Sequence, residues 1–364
     1  MGQKVRAAVV ERPGKMGIWE FDMPEIGRED GLLKIEMAGV CGTDPKRYAG
    51  KIAWTAEFPI IMGHEILGHI ARVGDLASQR WGVKEGDRVI VEAMARCGYC
   101  GKCITGDYRF CEKKLGYGGS ISAGTPPYLW GAYAEYMYLA PGSLVYRISE
   151  KVPAPAAVLV NAVVADALYW GRLLGNFSIG DTIVIQGPGQ QGLCQVIVAK
   201  ESGCSPIIIT GTSRCAERFK LAREFGADYV IDVDREDVIA RVRALTEGRM
   251  ADVVVDVAGN PQSIPASLEL VKVQGTLVLP TVVGEENKTS IATDRIVRRD
   301  IKIVGVYTSD ARVMGRAIKL VESGKYPIEK MVSHVFPLDE AEKAVQTAGG
   351  YFRDIHPTKV VIKP

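Results

Sequence analysis

The sequence predicts an α/β protein organised around a doubly wound parallel sheet, and three observations carry that expectation. The stretch "DTIVIQGPGQQGLCQVIVAKESG" reads as a buried strand, a glycine turn and a helix. Strand and helix patterns then alternate through "SPIIITG", "ADYVID", "ADVVVDVAG" and "GTLVLPTVV", the succession that βαβ units produce. The chain has 364 residues, 47% of them hydrophobic, enough for about two domains with sizeable cores.

At the start, "MGQKVRAAVVERPGKMGIWEF" contains no apolar run long enough for a signal peptide. Arg6 stands where a myristoylation site needs Ser or Thr. No later segment is expected to reach the roughly 18 apolar residues of a membrane span. With 45 basic and 43 acidic residues the net charge is +2, which supplies no field for nucleic acid or membranes. The expected partner is a small molecule and the expected location the cytoplasm.

Next along the chain, "GVCGTDPKRYAG" and "PIIMGHEILGH" bring Cys41, His64 and Glu65 close to turn glycines. A thiolate, an imidazole and a carboxylate are suitable donors for an open zinc site, with one position left for water or a substrate oxygen. Taken singly, a Cys before Gly is more often a small buried residue, and a lone His a hydrogen-bonded one.

The segment "CGYCGKCITGDYRFC" has the spacing C-x2-C-x2-C-x7-C at Cys97, Cys100, Cys103 and Cys111. In a reducing compartment such a cluster reads first as a metal site. Four thiolates form a closed tetrahedral shell that suits zinc and leaves no vacancy for substrate, so the site is structural. Iron–sulfur ligation and redox thiols are the competing readings. The common bacterial iron–sulfur run ends in Cys-Pro, whereas Glu112 follows Cys111.

In the glycine turn, Gly187, Gly189 and Gly192 make G-x-G-x-x-G. The first permits the tight turn, the second lets backbone approach a pyrophosphate, and the third lets the helix pack on the strand. Gln190 and Gln191 complete the motif at the helix N-terminus, which faces the phosphates. At the end of the second strand an acidic residue would hold the ribose of NAD, and Gly211 stands there instead. Thr212, Ser213 and Arg214 follow with two hydroxyls and a guanidinium that suit a 2′-phosphate, which favours NADP over NAD. Arg218 is a second phosphate partner, or else the exposed face of the helix in "AERFKLAREFGAD".

The segments "CGTD", "GHEILG", "GDRV", "CGYCGKC", "GAYAEY", "GPGQQG" and "FGAD" occur in one order over essentially the whole chain. In this the sequence resembles the zinc-dependent medium-chain alcohol and polyol dehydrogenases. The resemblance implies a GroES-like, mainly-β catalytic domain from residues 1–160 and 301–364, with a structural-zinc lobe near 92–115. A Rossmann domain, residues 161–300, would be inserted between them, with the active site in the cleft. It further implies hydride transfer between an alcohol and NAD(P), with a ketone or aldehyde as product, in a homodimer or homotetramer.

By the same resemblance Thr43 supplies a proton-relaying hydroxyl and Asp44 orients His64; helix capping is their bland reading. Two positions depart from the family. Lys46 stands where a histidine often passes the proton to solvent; it would relay protons, bind a carboxylate or phosphate, or sit solvated on the surface. Asn161 stands where the family has its third protein ligand, and an amide is a poor zinc ligand, so the metal would rely on Cys41, His64 and Glu65 with water. Asp166 is an outside candidate, one and a half helical turns away.

Trp54, Tyr117, Tyr128 and Trp130 are candidates for a pocket or for core packing. His69, His334 and His356 receive no role, and Cys194, Cys204 and Cys215 read as small apolar or solvent-side residues. Two rival functions stay open, a zinc-independent quinone or enoyl reductase of the same superfamily and a catalytically silent nucleotide-binding sensor, the latter supported by Asn161.

Overall fold

The computed structural model describes residues 4–52, 55–113, 115–284 and 286–364. The chain divides into two units, residues 1–161 with 314–364, and residues 162–313.

The second unit is built on a six-stranded sheet. Across it the strands run Tyr229–Asp232, Ile207–Gly211, Ile183–Gln186, Ala251–Asp256, Val271–Leu279 and Lys302–Gly305, with every neighbouring pair parallel. Numbered within this sheet the order is 3-2-1-4-5-6, the doubly wound dinucleotide-binding arrangement. Ile183, Val184 and Ile185 are all fully buried, so the central strand reads as an apolar run and not as an alternation. The helix Gln190–Glu201 is buried from Gly192 through Ala199, which accounts for its nearly uniform apolarity. Since Lys302–Gly305 forms the sixth strand of this sheet, the chain returns to the first unit at residue 314, further along than the expected 300.

The first unit is mainly β. Its largest sheet runs Val145–Arg147, Arg88–Val91, Glu65–Val73, Gly31–Val40, Lys359–Lys363 and Val332–Pro337, with Tyr136–Leu139 also paired to Gly31–Val40. A three-stranded sheet of Lys15–Asp22, Lys4–Arg12 and Ile60–Ile61 accompanies it. The C-terminal strand pairs antiparallel with Gly31–Val40, Val360 opposite Val40, so both ends of the chain complete one core.

The boundary at residue 161 falls within a helical segment, Ala154–Leu174, 21 residues long and apolar enough to meet the length and composition of a membrane span. The sequence reading expected no such segment. Its most apolar window is 72% buried inside the protein, as befits a core helix. The helix is widened over Val160–Ala165 and Leu168–Leu174 into the i→i+5 pattern, a form that recurs at functional sites.

Candidate active site and metal centres

The strand Gly31–Val40 ends at Cys41, where a turn leads into the short helix Asp44–Tyr48, with Pro45 in its first turn. Its antiparallel neighbour begins at Glu65, opposite Gly39. Two adjacent strand ends thus bring Cys41, His64 and Glu65 together, and one ligand atom from each lies within 4.8 Å of the others. A Cβ on Gly39 would collide with the Glu65 carboxylate, so the register itself requires glycine there.

Asp44 is fully buried behind this set. Its Oδ2 accepts from the Cys41 N–H at 2.9 Å and the Tyr133 hydroxyl at 2.8 Å. Its Oδ1 stands 3.5 Å from His64 Nδ1, which leaves Nε2 of the imidazole for a metal. Thr43 is the N-cap residue but makes no side-chain capping bond; the capping reading does not account for its hydroxyl. Lys46 is exposed on the same helix.

Glu65 has a partner that the sequence did not disclose. Lys359, fully buried on the C-terminal strand, contacts Glu65 Oε2 and donates to the Val40 carbonyl at 3.1 Å. The other oxygen, Glu65 Oε1, is buried without a hydrogen-bond partner. Burial works against the His64 imidazolium, yet Asp44, Cys41 and Glu65 outweigh it and hold the pKa up at about 9. The set carries an orphaned carboxylate oxygen beside a thiol and an imidazole, a donor set that fits zinc.

Asn161 Nδ2 donates to the Val91 carbonyl at 3.4 Å, so this amide is tied to the end of a strand. Asp166 is also buried. The count of one and a half turns between them assumed α-helical spacing, and the widened turn at Val160–Ala165 brings residues five apart closer to one face.

The cysteine lobe is closed by the paired strands Met94–Ala95 and Leu115–Gly116. Sγ–Sγ distances are 3.8 Å for Cys97–Cys103, 3.9 Å for Cys100–Cys111 and 3.6 Å for Cys111–Cys97. Four sulfurs about 2.3 Å from one ion would stand about 3.8 Å apart at tetrahedral angles, whereas a disulfide would need about 2.05 Å. The Cys97 and Cys100 N–H groups point at cysteine sulfurs. Backbone N–H groups of Glu112 and Cys103 pull the Cys100 thiol down to about 6, while burial pushes Cys103 up to about 12. Among the described residues, only Cys103, Tyr108 and Cys111 are buried in the lobe's own cluster, too little apolar matter to fold it without a staple.

In the second unit Gly187 adopts φ +99°, and a Cβ on Gly192 would collide with the Gly187 carbonyl. Nothing lies within 4 Å of where a Cβ on Gly189 would stand, so this backbone is open for close approach at the helix N-terminus, as a pyrophosphate requires. Gln191 Nε2 donates to the Ala162 carbonyl at 2.6 Å, leaving a buried, unpartnered Oε1. Gln190 is half-buried in the helix's first turn. Beyond Gly211, the Ser213 hydroxyl donates to Asp232 at 2.5 Å and its N–H to Asp234 at 2.9 Å. Ser213 makes these bonds within its own loop, with Thr212 and the exposed Arg214 on either side of it. Arg218 Nη1 lies 4.0 Å from Cys215 Sγ.

Among the aromatic candidates, Tyr117 and Trp130 belong to the core cluster of the first unit. Tyr117 is bonded to Ser143 and Trp130 to the Thr125 carbonyl. Tyr128 is exposed, and Trp54 lies outside the described residues. Cys194, Cys204 and Cys215 are buried.

A mainly-β unit with an open thiolate–imidazole–carboxylate set and a four-thiolate lobe, joined to a dinucleotide-binding sheet, defines a zinc-type oxidoreductase. Residues 27–150 match the alcohol dehydrogenase GroES-like domain and residues 192–323 the zinc-binding dehydrogenase domain. The chain is 36% identical to a protein of Mycobacterium tuberculosis assigned as an alcohol dehydrogenase, over 100% of this chain and 99% of that one. It is 30% identical to the erythritol/L-threitol dehydrogenase of Mycolicibacterium smegmatis, over 94% of each. A protein of Sinorhizobium meliloti assigned to the zinc-binding dehydrogenases and solved with NADP superposes with a TM-score of 0.87 at 25% identity, covering 100% of both chains. The chain belongs to the medium-chain dehydrogenase family, among its zinc-dependent alcohol and polyol dehydrogenases.

Proposed function

We propose that this enzyme moves hydride between a secondary or polyol hydroxyl and NADP, using Cys41, His64 and Glu65 as the protein ligands of its catalytic zinc. The observation that carries the reading is the convergence of those three ligand atoms within 4.8 Å, in front of a buried Asp44 carboxylate 3.5 Å from His64 Nδ1. When bound, zinc would lower the pKa of the alcohol oxygen toward neutrality, and nicotinamide would accept the hydride.

The chain's own residues do the rest. Asp44 Oδ1, 3.5 Å from His64 Nδ1, would orient the ring, and the Cys41 N–H and Tyr133 hydroxyl hold Asp44. Lys359 holds one Glu65 oxygen, and the other is buried without a hydrogen-bond partner and so is available as a ligand. Thr43, whose hydroxyl makes no capping bond, is assigned to take the alcohol proton and pass it outward. Gly187, Gly189 and Gly192 form the pyrophosphate turn. Thr212 and Arg214 support the choice of NADP, since Gly211 stands at the position in this strand where an acidic residue would hold the ribose of NAD. The likeness to the erythritol/L-threitol dehydrogenase supports a polyol substrate.

Cys41→Ser tests the assignment. It should lower kcat at least a hundredfold while leaving the NADP dissociation constant within about twofold, measured by steady-state kinetics and fluorescence titration. Retained turnover would remove Cys41 from the site.

A further inference from the structure

Buried side chains tie together the carboxyl ends of two neighbouring strands in the six-stranded sheet. Ile183–Gln186 and Ala251–Asp256 run parallel, with Gln186 opposite Asp256. Both of those side chains are buried, as is Ser267 on the helix Ser263–Leu270. Gln186 Nε2 donates to the Ser263 carbonyl at 3.1 Å and to the Ser267 hydroxyl. That hydroxyl donates in turn to Asp256 Oδ2 at 2.9 Å. With Oδ2 held from the helix, Oδ1 accepts from the backbone N–H of Ala258 at 3.1 Å. The carboxylate therefore closes a turn where the chain leaves the sheet.

That turn holds exposed backbone against the pyrophosphate cradle. Ala258, Gly259 and Asn260 are exposed directly after the buried strand. Gly187, the first glycine of the cradle, packs on this loop: a Cβ there would fall 2.8 Å from Ala258 Cα and 2.9 Å from its N. The Val257 N–H is fixed separately, to the Gln186 carbonyl at 2.9 Å, so Asp256 sets the path of the chain from Ala258 onward. The two strands are also the pair at which the order 3-2-1-4-5-6 reverses, and a dinucleotide lies across the crevice outside such a point. The 2′-phosphate is assigned to Thr212 and Arg214, beyond the strand on one side of the glycine turn. The nicotinamide half then extends to the other side, where Asp256 ends its strand.

We propose that Asp256 is a positioning residue for the nicotinamide half of the dinucleotide. Both its oxygens are engaged within the protein, and it acts by fixing Ala258–Asn260 as the wall on which that half rests. The inference rests on the dinucleotide reading of the glycine turn, and the test separates the two.

Calorimetry on the zinc-loaded full chain compares NADP with adenosine 2′,5′-bisphosphate, which keeps the adenosine and the 2′-phosphate and lacks the nicotinamide half. NAD and AMP form the matching pair. Asp256→Ala should weaken the dinucleotide at least tenfold, roughly the worth of a hydrogen bond to a charged group, and leave the bisphosphate within about threefold of the parent. Asp256→Asn, whose amide oxygen can still accept from the Ala258 N–H, should recover part of the loss. Ser267→Ala removes the bond to Oδ2 and keeps Asp256; it should weaken the dinucleotide by about threefold or more without moving the bisphosphate. If Asp256→Ala does not fold, Ser267→Ala decides. Equal weakening of dinucleotide and bisphosphate, the mark of a merely structural residue, overturns the proposal, as does an unchanged dinucleotide affinity in the folded variant. A parent that binds NAD and not NADP would sink the choice of NADP, and Asp256 would be judged by the same criteria on NAD and AMP. Asp256-dependent dinucleotide binding without turnover of any alcohol would remove the dehydrogenase reading and leave this inference standing. A parent that binds neither dinucleotide would end both.

Discussion

Glu65 shows how much one side chain depends on its surroundings. Its carboxylate is fully buried, and Lys359 is the cation that holds one of its oxygens. Removing one member of a buried pair strands the other charge, at about 3–5 kcal/mol. Lys359→Met should therefore destabilise the metal-stripped protein by about that amount in urea unfolding. If Glu65 faces the metal position, zinc replaces part of the missing charge, and the loss should shrink in zinc-loaded protein. Equal losses in both states would mean that Glu65 does not reach the metal. Arg214, the exposed guanidinium that follows Gly211, Thr212 and Ser213, is the residue on which the nucleotide choice turns. Arg214→Ala should lower the NADP-over-NAD ratio of kcat/KM by about tenfold or more, the worth of a hydrogen bond to a charged group. An unchanged ratio would assign the 2′ position to another residue.

At the scale of an element, the turn between the strand Ile183–Gln186 and the helix Gln190–Glu201 asks different things of its glycines. Gly192 is required by the protein, because a Cβ would strike the Gly187 carbonyl. Gly189 is not, because nothing stands within 4 Å of its would-be Cβ; its freedom serves a ligand. Gly192→Ala should thus lower stability by about 1–3 kcal/mol in addition to weakening nucleotide binding. Gly189→Ala should melt like the parent yet bind NADP at least tenfold more weakly. Equal thermal melts for the two variants would refute the distinction. The same loop limits what can be done at Gly211. A Cβ there would lie 2.7 Å from the Pro188 ring, so an Asp introduced to favour NAD would displace the loop that holds the pyrophosphate.

Over the whole molecule, what the sequence disclosed were the features written in local spacing. The G-x-G-x-x-G turn, the four clustered cysteines and the apolar strands of the six-stranded sheet are each set by neighbours within a few residues, and they read directly. Contacts across the chain did not read. Lys359 lies 294 residues from Glu65 and carries no mark distinguishing it from a surface lysine, and Ser213 gave no sign that Asp232 would claim its hydroxyl. The sixth strand, Lys302–Gly305, follows a short charged helix, Thr293–Arg299, and lacks the apolar run of its neighbours because one of its sides has no partner strand. The division of labour has a consequence for metal removal. The proposed zinc ligands all lie in residues 1–161, and the residues assigned to the nucleotide in 162–313. Metal analysis should return two zinc ions per chain. Mild chelation should strip the open site first, abolishing turnover while NADP affinity stays within about twofold, because the closed four-thiolate shell offers no vacancy for a competing ligand. Cys103→Ser should instead yield one ion per chain and expose residues 94–116 to proteolysis, since the lobe's small cluster cannot hold without its staple. A Cys103→Ser protein that kept both ions and resisted protease like the parent would show that the cysteines do not hold a metal.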